Sequence, residues 1–133
     1  MSANLDLVHS IYAAWERGDF GSGDWANPRI EFAFIGGLEP TTGIGLAAMG
    51  DVMRAVLGAL DAYRVEAEDF RELDGDRVLV LSRATGRGKT SGLDLGQMST
   101  AGASLFHIRD GKVIKLVNYW DRDRALADLG LKE

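Results

Sequence analysis

The chain contains no cysteine. That one absence excludes disulfide frameworks, thiolate metal sites and cysteine nucleophiles together. There are only 2 histidines, and with no thiol to join them a zinc site has no support, so no metal is expected. Proline is scarce, at 2 residues against 17 glycines, and the glycines keep no period. Collagen-like and low-complexity chains are thereby excluded. No apolar run approaches the roughly 20 residues that cross a bilayer, so no membrane association is expected. Met1 to Asp6 lack the basic and apolar regions of a signal peptide, which points to a cytoplasmic protein. Basic residues number 15 against 20 acidic ones, a net charge of −5, and such a surface does not draw nucleic acid. Gly36-Gly37 and the stretch from Gly86 to Gly92 lack the strand–loop–helix setting of a phosphate loop, so no nucleotide cofactor is implied.

What the chain does have is the material of one soluble domain. Its 133 residues are 46% hydrophobic and 26% charged, enough for a single core and too few for a second domain. A helix is expected from about Asn4 to Arg17, because Val8, Ile11, Tyr12 and Trp15 recur at i, i+3, i+4 and i+7. Asn4 reads as its N-cap and Gly18 as its stop. Residues Arg29 to Ile35 alternate, with Ile30, Phe32 and Phe34 on one side of a short strand. Gly36, Gly37, Pro40 and Gly43 then mark a loop. The strongest helical series follows, from about Ile44 to Leu60, through Met49, Val52, Met53, Val56, Leu57 and Leu60.

Strands take over after Asp61. Tyr63 to Leu73 and Arg77 to Gly86 flank the turn Asp74-Gly75-Asp76, which has hairpin chemistry. Gly86, Gly88 and Gly92 loosen the next stretch, and Leu95 to Ile108 and Lys112 to Trp120 flank a second turn at Asp110-Gly111. Asp121 then caps a short last helix carrying Ala125, Leu126 and Leu129, which Gly130 ends. Strands gathered late in the chain and joined by hairpins predict an α+β fold with a mostly antiparallel sheet.

Several of these segments together resemble one family. Gly86-Arg87-Gly88-Lys89-Thr90-Ser91-Gly92, the run from Phe106 to Val113, Tyr119-Trp120-Asp121-Arg122, the ending from Ala125 to Leu131 and the segment from Tyr63 to Phe70 are similar to the SnoaL-like, polyketide cyclase-like branch of the nuclear transport factor 2 superfamily. The resemblance covers nearly the whole chain. It implies a curved sheet wrapped against the N-terminal helices into a cone, and a homodimer packed through the outer sheet face. It also implies an apolar internal pocket for a small hydrophobic, ring-containing molecule. Isomerisation, cyclisation or hydrolysis without a cofactor would suit such a pocket, and so would binding without catalysis, because one fold hosts many functions.

Site residues follow from the strand faces. Leu116, Asn118 and Trp120 share a face of the last strand that the resemblance turns into the cone, with Ser104 on the neighbouring strand and Phe34 on the first. Asn118 is an amide on an apolar face and must hydrogen-bond either a ligand or a neighbour. Trp15, with Trp25 and Phe20, is expected to close one end of the cone. Asp121 is the acid nearest this set, as a general base at the rim or simply as the helix cap. His9 and His107 fall off the inward faces.

Alignment with ketosteroid isomerase, a tuned Asp base with Tyr and Asp oxyanion donors, puts those roles on Phe34, Ile11 and Ser104, none of which can perform them. Glu31, Asp69 and Arg83 are mid-strand charges, and Asp69 and Arg83 with Tyr63 and Asn118 have the residue types of an epoxide-opening set, although most such mid-strand charges face solvent. Val113, Val117 and Tyr119 on the outer face supply the apolar surface on which a dimer would rest.

Overall fold

The computed structural model of the protein describes residues 2–19, 23–35, 41–90 and 93–131, with the backbone alone described at 56–63, 87–90 and 93–100. Phe20 and the stretch 36–40 lie outside the described residues. Helix α1 is Ala3–Glu16 and buries Val8, Ile11, Tyr12 and Trp15, the expected stripe. Its cap is Ser2 and not Asn4: the Ser2 hydroxyl accepts the Leu5 N–H at 3.1 Å. A capping side chain must stand just before the first helical residue. Asn4 already lies inside the helix, and its amide donates to the Gly75 carbonyl at 2.8 Å.

The remaining elements are β1 (Ala26–Ile35), β2 (Thr41–Ile44), α2 (Leu46–Ala59), β3 (Leu60–Glu72), β4 (Arg77–Thr90), β5 (Leu93–Arg109), β6 (Lys112–Tyr119) and α3 (Arg122–Leu129). Two segments differ from expectation. Thr41–Ile44, expected as loop, is an edge strand paired antiparallel with β1. Gly43 belongs there because a Cβ would stand 2.5 Å from the ring of Phe32, its cross-strand partner. The glycine-bearing stretch after Gly86 is not loose either: Arg87 pairs with Gln97 and Thr90 with Leu93, so β4 and β5 form one long hairpin. A register shift between Arg87 and Lys89 takes up the irregularity.

The six strands form one sheet in the order β2-β1-β6-β5-β4-β3. All neighbours are antiparallel except β1 and β6. Register shifts interrupt β3 against β4 at Ala67/Asp69 and β5 against β6 at His107/Ile108. Such bulges bend strands and strengthen their twist. The sheet is accordingly curved.

Each face of the sheet carries its own core. On the concave face, α1 lays Val8, Ile11, Tyr12 and Trp15 against Val78, Val80, Phe106, Ile108 and Leu116, while Leu46 and Met49 of α2 pack at the margin. On the convex face, α3 seats Ala125 and Leu126 over Leu79, Leu81, Leu105, Val117 and Tyr119. The apolar outer patch expected at Val113, Val117 and Tyr119 is therefore corrected at all three positions. Val113 turns into the concave core, because Ile108 pairs with Val113 and leaves Ile114 as the extra residue of the bulge. Val117 and Tyr119 do face outward, but α3 covers them. Among the described residues the large hydrophobic left exposed is Ile44, at 68%. No helix among them is long and apolar enough to cross a membrane.

Candidate functional site

Below α1 the concave face is not completely filled. A cavity of about 80 Å³ opens there between α1, α2 and the strands. Side-chain alternation decides what lines it. Ser82 and Ala84 come inward from β4, Gly102 and Ser104 from β5, and Asn118 from β6. Phe34 of β1, Met53 of α2, Val65 of β3 and Trp120 form the sides. Tyr12 and Trp15 close it from α1. The described lining carries no carboxylate, imidazole, guanidinium or ammonium group.

At its centre is a chain of three neutral polar side chains. The Tyr12 hydroxyl donates to Ser104 Oγ at 2.9 Å, and Ser104 donates to Asn118 Oδ1 at 2.6 Å. Three separate elements are thereby tied at one point: α1, β5 and β6. Ser104 and Asn118 sit directly opposite each other in the β5–β6 ladder, which brings their side chains together. Ser104 is buried and Asn118 half-buried. Its neighbours in this chain are a phenol and an amide, neither of which is a base able to activate Ser104 as a nucleophile. What the chain can do is present hydrogen bonds. The Asn118 amide nitrogen is a donor, and a reversed chain would make the Tyr12 O–H the donor, so either end suits a carbonyl or hydroxyl oxygen.

The expected site residues divide clearly. Asn118, Trp120, Ser104, Phe34 and Trp15 all border this cavity. Leu116 does not: it lies one register step deeper, 2% exposed in the concave core. Asp121 is not in the lining either. Its carboxylate is exposed and accepts the Asp123 N–H at 3.0 Å as the N-cap of α3. Asp121→Ala should therefore cost about 1 kcal/mol in urea unfolding, and Asp121→Asn, which still caps, close to nothing.

Tyr12 went unmarked as a site residue. The ketosteroid isomerase alignment put the tyrosine role on Ile11, which packs in the core at 2% exposure, whereas the next residue carries the phenol to the cavity. The available signal was the one hydroxyl within the apolar stripe of α1.

The remaining titratable candidates stand elsewhere. His9 is exposed and stacks on Phe70, with ring centroids 3.8 Å apart. His107 is half-buried on the convex face, where burial, then Lys115 and Arg77, hold its pKa below the ordinary imidazole range. Arg83 pairs with Glu68 at 3.5 Å and Asp69 with Arg71 at 2.8 Å. No epoxide-opening set therefore forms from Arg83 and Asp69 at the cavity, and Tyr63 is outside the described side chains. Among the described residues, no group of three or more His, Asp or Glu could hold a metal ion.

Comparison with known proteins agrees with this architecture. The family model of the SnoaL-like domain matches residues 8–116. An NTF2-like protein of unknown function from Burkholderia pseudomallei superposes with a TM-score of 0.78 at 18% identity, covering 96% of this chain and 97% of that one. A candidate polyketide cyclase from Xanthomonas campestris has a TM-score of 0.72 at 22% identity, over 94% and 95% of the two chains. TerC, co-crystallised with polyporic acid, has a TM-score of 0.73 at 24% identity, over 96% and 98%. At such identities the likeness establishes the fold. No curated protein matches the chain.

Proposed function

The chain belongs to the SnoaL-like domain family, and from that premise we propose that it acts on a small hydrophobic, ring-containing molecule held in the concave cavity. The reaction class is cofactor-free isomerisation, cyclisation or hydrolysis. The observation that carries this reading is the Tyr12–Ser104–Asn118 chain in an otherwise apolar lining. Apolar walls with a few convergent polar groups are the usual make-up of a small-molecule site. Here the polar groups are neutral, which suits one carbonyl or hydroxyl oxygen and offers no cation to a carboxylate or phosphate.

Hydrogen bonds aimed at such an oxygen stabilise the negative charge it gathers as a neighbouring C–H bond loses its proton, or as a nucleophile adds. Among apolar walls, where the local dielectric is lower than in water, that stabilisation is larger than in solution. With no base in the described lining, the proton acceptor would be water or a group on the substrate itself.

The test is titration with single-ring ketones and phenols, followed by tryptophan fluorescence, since Trp15 and Trp120 are cavity walls. Tyr12→Phe and Ser104→Ala should each weaken binding about tenfold, the worth of a hydrogen bond of roughly 1.4 kcal/mol. Unchanged affinity in both variants would overturn the reading. Binding that needs Tyr12 but never leads to turnover would assign the chain as a binding module.

A further inference from the structure

Trp15 borders two spaces. It lines the concave cavity with Tyr12 and Phe34. It also lines a surface groove of about 380 Å³ between α1 and the turn at 23–25, where Ile11, Ala14, Arg17, Asp24 and Trp25 are its neighbours. Among the described residues no other side chain lines both. We infer that Trp15 is a single-residue partition between these spaces, and that its indole sets the size limit on the ring system the cavity accepts. The inference rests on the cavity being the ligand site proposed above.

Three observations support this. First, the cavity is small. At about 80 Å³ it is below the roughly 150 Å³ of an engineered apolar cavity that takes up benzene. One small ring is therefore the upper limit, and a fused second ring needs space from elsewhere. Second, the indole is held by aromatic edges and faces. It meets Tyr12 at a centroid distance of 4.9 Å, Trp25 at 6.0 Å and Phe106 at 6.2 Å, so it is fixed in the dividing position. Third, among the described residues Trp15 alone borders both spaces, and it keeps 9% exposure. Removing the indole would join the cavity to the groove, which already has an aromatic wall in Trp25 and an apolar one in Ile11 and Ala14.

The experiment uses hydrocarbons, so that it reads size and not oxygen recognition. Benzene and naphthalene are titrated into the wild type, Trp15→Leu and Trp15→Phe, and amide shifts of Phe34 and Trp120 are followed by NMR. Both substitutions keep an apolar side chain at the position, and circular dichroism identifies the variants that are folded. The expected result is a wild type in which naphthalene leaves the Phe34 and Trp120 amides unshifted and a folded variant in which it shifts them. Naphthalene shifting Phe34 and Trp120 in the wild type would overturn the partition, as would folded variants that still exclude it. The ketone and phenol affinity of Tyr12→Phe bears on the proposed function alone. The hydrocarbon series bears on Trp15 alone.

Discussion

Gly102→Ala is expected to cost about 3 kcal/mol of stability, near the top of the ordinary range for forcing extra atoms into a packed site. It should also deform the cavity. Gly102 lies on the inward side of β5, in line with Ser104. A Cβ built there would stand 2.6 Å from the carbonyl oxygen of Tyr119. That obstacle is main chain at the end of β6, where Trp120 N–H donates to the Ile35 carbonyl at 3.0 Å. It cannot swing aside as a side chain would. Relief requires the Tyr119–Trp120 segment to move, and Trp120 is a cavity wall.

Gly75→Ala is the control, because a Cβ there meets nothing within 4 Å. Thermal unfolding should place Gly102→Ala roughly 10 °C below the wild type and Gly75→Ala within a few degrees of it. The Trp120 fluorescence of the folded Gly102 variant should change as well. Equal melting temperatures for the two variants would mean that β6 has room to retreat.

Close approach of this kind is what a sequence conceals. The features of the chain that read correctly are local: the α1 stripe from Val8 to Trp15, the turn at Asp110-Gly111, and the capping of α3 by Asp121 and Gly130. Each depends on residues within a few positions of one another, and periodicity or capping reports such relations directly. The inward face of β5 and β6 was also legible, so five of the six expected ligand-contacting residues reach one cavity.

Apart from the cap of α1, which is Ser2 and not Asn4, the errors are non-local. Val113 changed face because a bulge at His107/Ile108 shifts the register, and strict alternation cannot anticipate an extra residue. The four-residue β2 was hidden by Gly43, whose role depends on a ring from the neighbouring strand. Tyr12 was missed by one position. Its stripe was identified, but which of two adjacent stripe residues meets Ser104 depends on how α1 rolls across the sheet. The covering of Val117 and Tyr119 by α3 likewise depends on where a correctly identified helix docks.

Arg122→Ala should cost a further amount of the same order, about 3 kcal/mol, because one guanidinium completes three strands. Its side chain leaves α3 only 13% exposed. It donates to the Ser82 carbonyl at 2.9 Å, reaches the Gly102 carbonyl at 3.5 Å and pairs with the Glu68 carboxylate. Ser82 and Gly102 are ladder partners. The bulge at Ala67/Asp69 interrupts β3 beside Ser82, and β6 ends beside Gly102. Arg122 thus supplies donors where the ladder has run out, and a buried carbonyl stripped of its donor costs about 1–3 kcal/mol. Arg122→Lys should recover only part of the loss, because a single ammonium cannot reproduce the planar fork.

The pH dependence separates this role from plain packing. Arg122, first by its hydrogen bond and then by its charge, holds the Glu68 pKa below the ordinary 4.5. A depressed carboxylate contributes stability above its unfolded pKa and loses it as pH falls through the folded value. The wild type should therefore lose stability from about pH 4.5 downward through this pair, and the Arg122→Ala curve should be flatter there once Arg83 is the cation left beside Glu68. Parallel wild-type and variant curves across that acid window would reduce Arg122 to a packing residue.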